Sequence, residues 1–170
     1  MPVAANPLEY TLFFTLNQGP GPSLEIWNAL ALRTTLAALR LNVFETLADG
    51  EQSQEELAQR LQCAPAGMEM LLKTLEALRY VRQRNGGYAL TPMTRKWMIS
   101  ASPTNLAPYV RYWGAILPTL WESLESTLRT GEPPINLYEW IEDQPEVSRD
   151  FQEAMISLAN LAKSEIAGAL

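Results

Sequence analysis

Residues 41–91, LNVFETLADGEQSQEELAQRLQCAPAGMEMLLKTLEALRYVRQRNGGYALT, decide the fold of this chain. Over most of this stretch the apolar residues recur every three or four positions, a spacing that predicts helices. Ser53 followed by Glu56 is typical of a capping box, in which each side chain bonds the backbone N–H of the other residue. The apolar residues from Met68 to Leu78 predict a third helix. The stretch therefore begins as three short helices, the first of them closed by Asp49 and Gly50.

After the third helix the apolar residues alternate instead, as they do in a strand. Val81 and Leu90 flank Asn85-Gly86, the residue pair that best tolerates the two positive φ values of a tight hairpin turn. Three helices followed by a hairpin make a winged-helix pattern. We predict a mainly α fold, a winged helix-turn-helix with a small β-hairpin wing and additional C-terminal helices.

Composition excludes several classes of function. The 170 residues carry a formal net charge of −6, so no overall basic field points to nucleic acid or acidic lipid. The chain has no histidine and one cysteine, which removes histidine-based dyads and zinc sites built on several thiolates. No apolar run approaches the ~20 residues of a membrane span. With no signal-peptide pattern either, we expect a cytoplasmic protein without a membrane partner.

The segments outside this stretch predict an arm, a long helix and a C-terminal helical region. Residues 1–22 contain an apolar patch, Tyr10 to Phe14, that packs either on its own domain or on a second copy. Ser23 is expected to cap a long helix whose small residues suit close packing within the domain or across a dimer. Later, Pro118 is expected to interrupt a helix that starts near Leu106. Asp143 is expected to cap the last helix, in a capping box with Glu146.

The residue types leave two functions open besides that of an enzyme domain. In a DNA-binding protein the third helix would enter the major groove, yet it offers Lys73 beside Glu69 and Glu76, and carboxylates repel phosphates. The wing arginines Arg82 and Arg84 could still hold phosphate, so a DNA-binding regulator is the second reading. No catalytic motif or metal-ligand cluster is present. A stand-alone dimeric ligand-binding module is the third.

A group of aromatic and methionine side chains lies between residues 97 and 155. Such residues at helical spacing form either core or the wall of an apolar cleft for a flat organic ligand. Both interpretations stay open for the following group: Trp97, Tyr109, Tyr112, Trp113, Trp121, Tyr138, Trp140, Phe151 and Met155.

Residues 41–98 resemble the winged-helix dimerisation domain of the S-adenosylmethionine-dependent O-methyltransferases of the caffeate/hydroxyindole type. The order of an LGVFD-like helix end, a T-x-E-E-L-A helix, an LLRxLxxLG helix, a hairpin and LTPxG is the same. Trp121 with Leu124, the run LRTGEP at 128–133, and Phe151-Gln152-Glu153-Ala154-Met155 are similar to later family segments. One departure is Arg79, which stands where the family usually has glycine.

The resemblance implies that the chain forms a homodimer and supplies one wall of the pocket for a small aromatic or polyketide-like methyl acceptor. Phe151 and Met155 match family positions that contact the acceptor, and Trp113 and Trp121 are expected beside them. We expect an arm (1–22), a dimerisation domain (23–100) and a helical extension (101–170). The family's S-adenosylmethionine-binding half and its catalytic histidine would follow, so we expect this chain alone neither to bind the donor nor to catalyse.

Overall fold

A computed structural model describes residues 7–16, 18, 22–133 and 135–169, apart from the side chains of 9, 13, 14 and 164–169. Residues 1–6, 17 and 19–21 of the predicted arm, and the side chains of Glu9, Phe13 and Phe14, therefore lie outside the description. The described part is mainly helical with one two-stranded antiparallel sheet, as predicted. Contacts divide the chain into two compact units, Met1–Arg95 and Lys96–Leu170.

The first unit holds the helices and the hairpin of the winged-helix pattern. Helix α1 runs directly into a short π-helical segment, and α6 crosses the boundary between the units. The elements are α1 (Pro7–Tyr10), the π-helical Thr11–Thr15, α2 (Ser23–Arg40), α3 (Val43–Ala48), α4 (Gln54–Arg60), α5 (Pro65–Ala77), β1 (Val81–Arg84), β2 (Gly87–Leu90) and α6 (Pro92–Trp97).

The core of the first unit lies between α2, α3, α4 and α5. The predicted capping box begins α4: the Glu56 backbone donates to Ser53 Oγ at 3.2 Å, and the Ser53 backbone donates to Glu56 Oε2 at 2.7 Å. Leu57 of α4 is fully buried, as are Met68 and Leu75 of α5. The 3.6-residue spacing read from the sequence therefore marks the faces that pack inward.

The wing is the hairpin that the alternation predicted. Val81 pairs with Leu90 and Arg84 with Gly87. The turn residues Asn85 and Gly86 have φ values of 48° and 86°, the two positive values of the expected tight turn. The hairpin is joined to the chain before α4, because Tyr88 and Gln52 exchange backbone hydrogen bonds of 2.7 and 3.2 Å.

The first predicted helix is a separate element in the structure. Ser23 does not cap α2, since it is the first residue of that helix and Pro22 precedes it as N-cap. Helix α2 ends at Arg40, and α3 begins at Val43 after Asn42, whose φ of 57° turns the chain between them. Asparagine adopts this left-handed conformation more readily than most residues. Arg79 also has a positive φ, 62°, just after α5. The left-handed turn after α5, for which glycine is best suited, is therefore made by an arginine.

The second unit consists of α6's last residues and three further helices, α7 (Ala107–Thr130), α8 (Leu137–Glu142) and α9 (Pro145–Ala169). The expected interruption at Pro118 is wrong, since this residue lies inside α7, which is a continuous helix of 24 residues. Proline there removes one backbone hydrogen bond, and the remaining bonds and packing of a long helix outweigh that loss. None of the described helices is both long and apolar enough to cross a membrane.

The expected cap of α9 is also wrong. Asp143 ends α8 as its C-cap residue, and its backbone N–H bonds Glu139 O and Ile141 O. Pro145 is the first residue of α9, so Asp143 stands one position too early to cap it. The sequence pattern did fit a helix start, but it did not show that another helix ends at the same residue.

Candidate functional site

An exposed apolar face on α2 is the first candidate for function. One side of α2 packs into the first unit through Leu36, Ala38 and Leu39, which are buried. On another side Ile26, Trp27 and Leu30 are 63%, 49% and 59% exposed. Large apolar side chains that are grouped and exposed mark an interaction surface more often than isolated ones do.

An aromatic cluster in the second unit is the other candidate. Its buried centre is formed by Tyr112 and Ile116 of α7 with Ile141 of α8. Five partly buried side chains pack against that centre, namely Trp113, Leu137, Trp140, Val147 and Phe151. All three helices of the second unit thus contribute to one cluster, because apolar residues three or four positions apart face the same side of each helix.

The rings of this cluster are in direct contact. The Tyr112 ring lies 5.2 Å from that of Phe151 and 5.7 Å from that of Trp113, centroid to centroid. Tyr109 meets Trp113 edge to face at 6.1 Å. These separations are within the 4.5–7 Å range of favourable aromatic pairs. Tyr112 is therefore the ring through which α7 and α9 are joined.

A pair of ionic contacts fixes α7 against α9 beside these rings. Arg111 Nε lies 2.7 Å from Asp150 Oδ1, and Arg111 Nη2 lies 3.3 Å from Glu153 Oε2. The three residues flank Tyr112 and Phe151 in sequence. Because the Arg111 and Asp150 side chains are mostly buried, this contact holds the helices in register more firmly than an exposed pair would.

Two polar groups of the cluster stand out. Among the described side chains, Trp113 Nε1 is the one buried nitrogen or oxygen without a hydrogen-bond partner. The Trp113 ring meets the rings of Tyr109 and Tyr112 in edge-to-face pairs, at interplanar angles of 69° and 67°. Burial raises the pKa of the Tyr112 hydroxyl, and the nearby Tyr138 and Tyr109 raise that pKa further.

The four predicted acceptor-contact residues are only partly brought together. Phe151 and Trp113 both pack on Tyr112 in the cluster. Met155, one turn after Phe151 on α9, is 39% exposed. Trp121 is 48% exposed on α7 and is not among the side chains that pack on the cluster. No local pattern distinguishes Tyr112 from its aromatic neighbours, although its ring contacts both Trp113 and Phe151.

An apolar groove lies next to the cluster. It has a volume of about 260 Å³ and is lined by the later part of α7, the segment before α8 and the first residue of α8: Thr119, Leu120, Ser123, Leu124, Thr127, Pro133, Ile135 and Leu137. The hydroxyls of Ser123 and Thr127 donate to backbone carbonyls of α7 at 3.1 and 2.9 Å. The groove therefore presents almost only carbon, and Leu137 belongs both to it and to the cluster.

The structure gives little support to a metal site or to DNA binding. Within the described ranges, no group of three or more Cys, Asp or Glu side chains could hold a metal ion. Lys73, the cation on the exposed side of α5, lies 2.6 Å from Glu69, so an acid neutralises it where DNA phosphate would bind. The hydrogen bond and charge of Glu69 raise the pKa of Lys73 accordingly. A DNA-binding function is not favoured.

Comparisons with known proteins point to one family. Residues 25–100 match the model of the O-methyltransferase dimerisation domain. The chain is 29% identical over 96 residues to the S-adenosyl-L-methionine-dependent methyl transferase PigF of Serratia sp., covering 56% of this chain and 28% of PigF. It is 28% identical over 159 residues to the tetracenomycin polyketide synthesis 8-O-methyl transferase TcmO of Streptomyces glaucescens, covering 90% and 47%.

Solved structures agree on the fold. Human N-acetylserotonin methyltransferase superimposes with a TM-score of 0.72 at 20% identity, over all of this chain and 51% of the human protein. The chain thus spans about half of that protein, and less than half of PigF and TcmO.

Proposed function

Residues 25–100 belong to the O-methyltransferase dimerisation-domain family, and from this premise we propose that the chain pairs the subunits and binds the acceptor in a small-molecule O-methyltransferase. The first unit contributes the pairing surface. The second contributes one wall of the acceptor pocket. The two roles rest on different residues, so each can be tested without the other.

The pairing role rests on the exposed face of α2. Ile26, Trp27 and Leu30 lie within the family match and are grouped on one side of the helix. Exposing them to water is unfavourable by ~25 cal/mol for each Å² of apolar surface, and a second copy of the chain would cover them. A homodimer through this face accounts for their exposure on a helix whose other side is well packed.

The acceptor role rests on one observation, the contact between Tyr112 and Phe151 at the centre of the aromatic cluster. Phe151 and the half-exposed Met155 follow each other on α9, with Trp113 on the α7 side. A flat aromatic or polyketide-like acceptor suits such a wall, because ring faces and a methionine thioether offer contact without fixed polarity. Relatives named for a tetracenomycin and a naphthoate O-methyl transfer support this substrate class.

The wall acts by position rather than by chemistry. The wall would hold the ring of the acceptor against fixed side chains, so that its reacting hydroxyl stays in one place. Because the acceptor has already lost its free motion on binding, the barrier to methyl transfer is lower. Arg111, paired with Asp150, keeps α7 and α9 in fixed register beneath that ring. Trp121 is not among the side chains that pack on the cluster, so we do not include it in the proposed wall.

S-adenosylmethionine supplies the methyl group in the relatives named for it. The described part of this chain does not fit that donor. Its sheet is an antiparallel hairpin, and none of its described turns is a glycine-rich connection from a strand to a helix, which is the usual seat for such a cofactor. We therefore assign the donor no contact with the described residues.

The test of the acceptor wall uses 2-naphthol as a flat aromatic probe. Titration into the chain with labelled methionine and isoleucine methyls should shift the signals of Met155, Ile116 and Ile141. Met155→Ala should weaken binding about five-fold, as expected for the loss of ~1 kcal/mol of apolar contact. Ile156→Ala, a change at the next and more exposed residue, should leave affinity unaltered. Unshifted methyls, or equal losses in both variants, would overturn the proposal.

A further inference from the structure

We propose that the hydroxyl of Tyr112 is the polar anchor of the acceptor wall, hydrogen-bonding an oxygen of the bound acceptor; this inference rests on the proposed function. Apart from the indole N–H groups of Trp113 and Trp140, the rest of the cluster offers ring faces and aliphatic side chains. Such surfaces attract flat molecules but do little to fix which way they face. One placed hydroxyl would decide the orientation.

The Tyr112 ring is held rigidly enough to aim that hydroxyl. Only 6% of the residue is exposed, and its ring contacts Phe151 on α9 and Trp113 on α7. Ile116 and Ile141 complete its surroundings. A tyrosine has two side-chain torsions, and this packing fixes both, so the oxygen occupies a defined point at the edge of the cluster.

The Tyr112 oxygen nevertheless keeps some contact with solvent. It makes no hydrogen bond to any residue that the structure describes, and it is not among the fully buried atoms without a partner. A polar atom that is neither paired nor fully buried reaches the surface in part. Burial still raises the pKa of this hydroxyl, so the oxygen of a bound ligand would supply a hydrogen bond that little water now supplies.

The neighbouring phenols do not share this combination. Tyr138 is 71% exposed, so its ring is free to move, and Tyr109 contacts Trp113 but not Phe151 among the described ring pairs. Burial raises the pKa of Tyr112, and the hydroxyl therefore keeps its proton across neutral and mildly basic pH. As a neutral phenol it can donate to a carbonyl or phenolate and accept from a phenol.

The ligand class that follows is a flat aromatic carrying an oxygen at its edge, such as a phenol or an aryl ketone. An analogue with a methyl group in place of that oxygen should still bind, but less tightly. A hydrogen bond open to water on one side contributes roughly 1 kcal/mol, which corresponds to a preference of about five-fold.

The experiment compares 2-naphthol with 2-methylnaphthalene, read from the Ile116 and Ile141 methyl signals of the full chain. The wild type should prefer 2-naphthol about five-fold. Tyr112→Phe, which removes only the oxygen, should abolish the preference and leave 2-methylnaphthalene binding unchanged. Tyr109→Phe, the matched control, should keep the preference. A purely structural role would alter both affinities together.

The outcomes separate this proposal from the one beneath it. If the wild type binds both probes equally, or Tyr112→Phe still prefers 2-naphthol, the anchor is wrong and the wall stands. If neither probe shifts the cluster methyls, the acceptor wall is wrong and the anchor with it. Thermal unfolding of Tyr112→Phe checks that the ring contacts survive the change.

Discussion

Arg111 and Asp150, 39 residues apart in sequence, meet with Nε and Oδ1 2.7 Å apart and join α7 to α9 beside the ring contact of Tyr112 and Phe151. The guanidinium reaches Glu153 as well, at 3.3 Å. A charged contact and an aromatic contact therefore lie side by side between the same two helices. The geometry of the candidate acceptor wall depends on both.

Arg111→Met should destabilise the chain by about 1 to 2 kcal/mol, because it removes the positive charge that pairs with the mostly buried Asp150 carboxylate. Arg60 offers a matched control: it lies 2.8 Å from Asp49, but both side chains are more than half exposed. Arg60→Met should change the free energy of unfolding by less than about 0.5 kcal/mol. Urea titration of both variants measures the difference. Similar losses would show that burial does not strengthen the Arg111 pair.

Arg79→Gly should stabilise the chain by about 1 kcal/mol. Arg79 has a φ of 62°, where a side chain crowds the backbone and glycine does not. Gln62→Gly, at a φ of 53°, should have the same sign. Arg82→Gly is the opposite control, since Arg82 lies in β1, where glycine weakens a strand. Thermal unfolding checks all three. A destabilised Arg79→Gly variant would mean that the arginine side chain contributes more than the strain costs.

Acid should weaken the N-terminus of α4. Hydrogen bonds from Ser53 hold the pKa of Glu56 below its usual value of 4.5. A carboxyl whose pKa is lower in the folded state stabilises that state above its unfolded pKa, and the stabilisation is lost as pH falls through the folded value. Thermal unfolding between about pH 3 and 6 should therefore show a smaller decline for Glu56→Gln than for the wild type. Glu55→Gln is the neighbouring control. A wild-type decline unaltered by Glu56→Gln would exclude this contribution.

Local patterns predicted the winged-helix part well. The capping box at Ser53, the inward face from Met68 and the turn at Asn85-Gly86 depend on neighbours a few residues away, and each is present as expected. The errors occur where distant or overlapping signals compete. Pro118 lies in a helix long enough to continue without one bond, and Asp143 ends one helix where it was expected to begin another.

The candidate site was harder to predict, because it depends on packing between helices. The sequence placed Phe151, Met155, Trp113 and Trp121 in one group by resemblance, while the structure packs Phe151 and Trp113 on Tyr112 and leaves Trp121 outside the cluster. Nothing local distinguishes Tyr112 from Tyr109, three positions earlier. The contact of Tyr112 with α9 decides between them, and that contact appears only in three dimensions.

The proposed dimer gives the last prediction. Trp27 is the largest side chain on the exposed face of α2, beside Ile26 and Leu30, and it is 49% exposed. Large aromatic residues at the centre of an interface commonly contribute 2 kcal/mol or more, so Trp27→Lys should raise the dimer dissociation constant about 30-fold or more. Met70→Lys is the matched control, because Met70 is an apolar residue of the same unit, 71% exposed on α5. Sedimentation of both variants over a range of concentrations, with circular dichroism to confirm folding, separates the outcomes. A wild type that is monomeric throughout, or equal weakening in the two variants, would remove the α2 face as the pairing surface. A dimer lost only in Trp27→Lys would locate pairing on the helix that begins the family match.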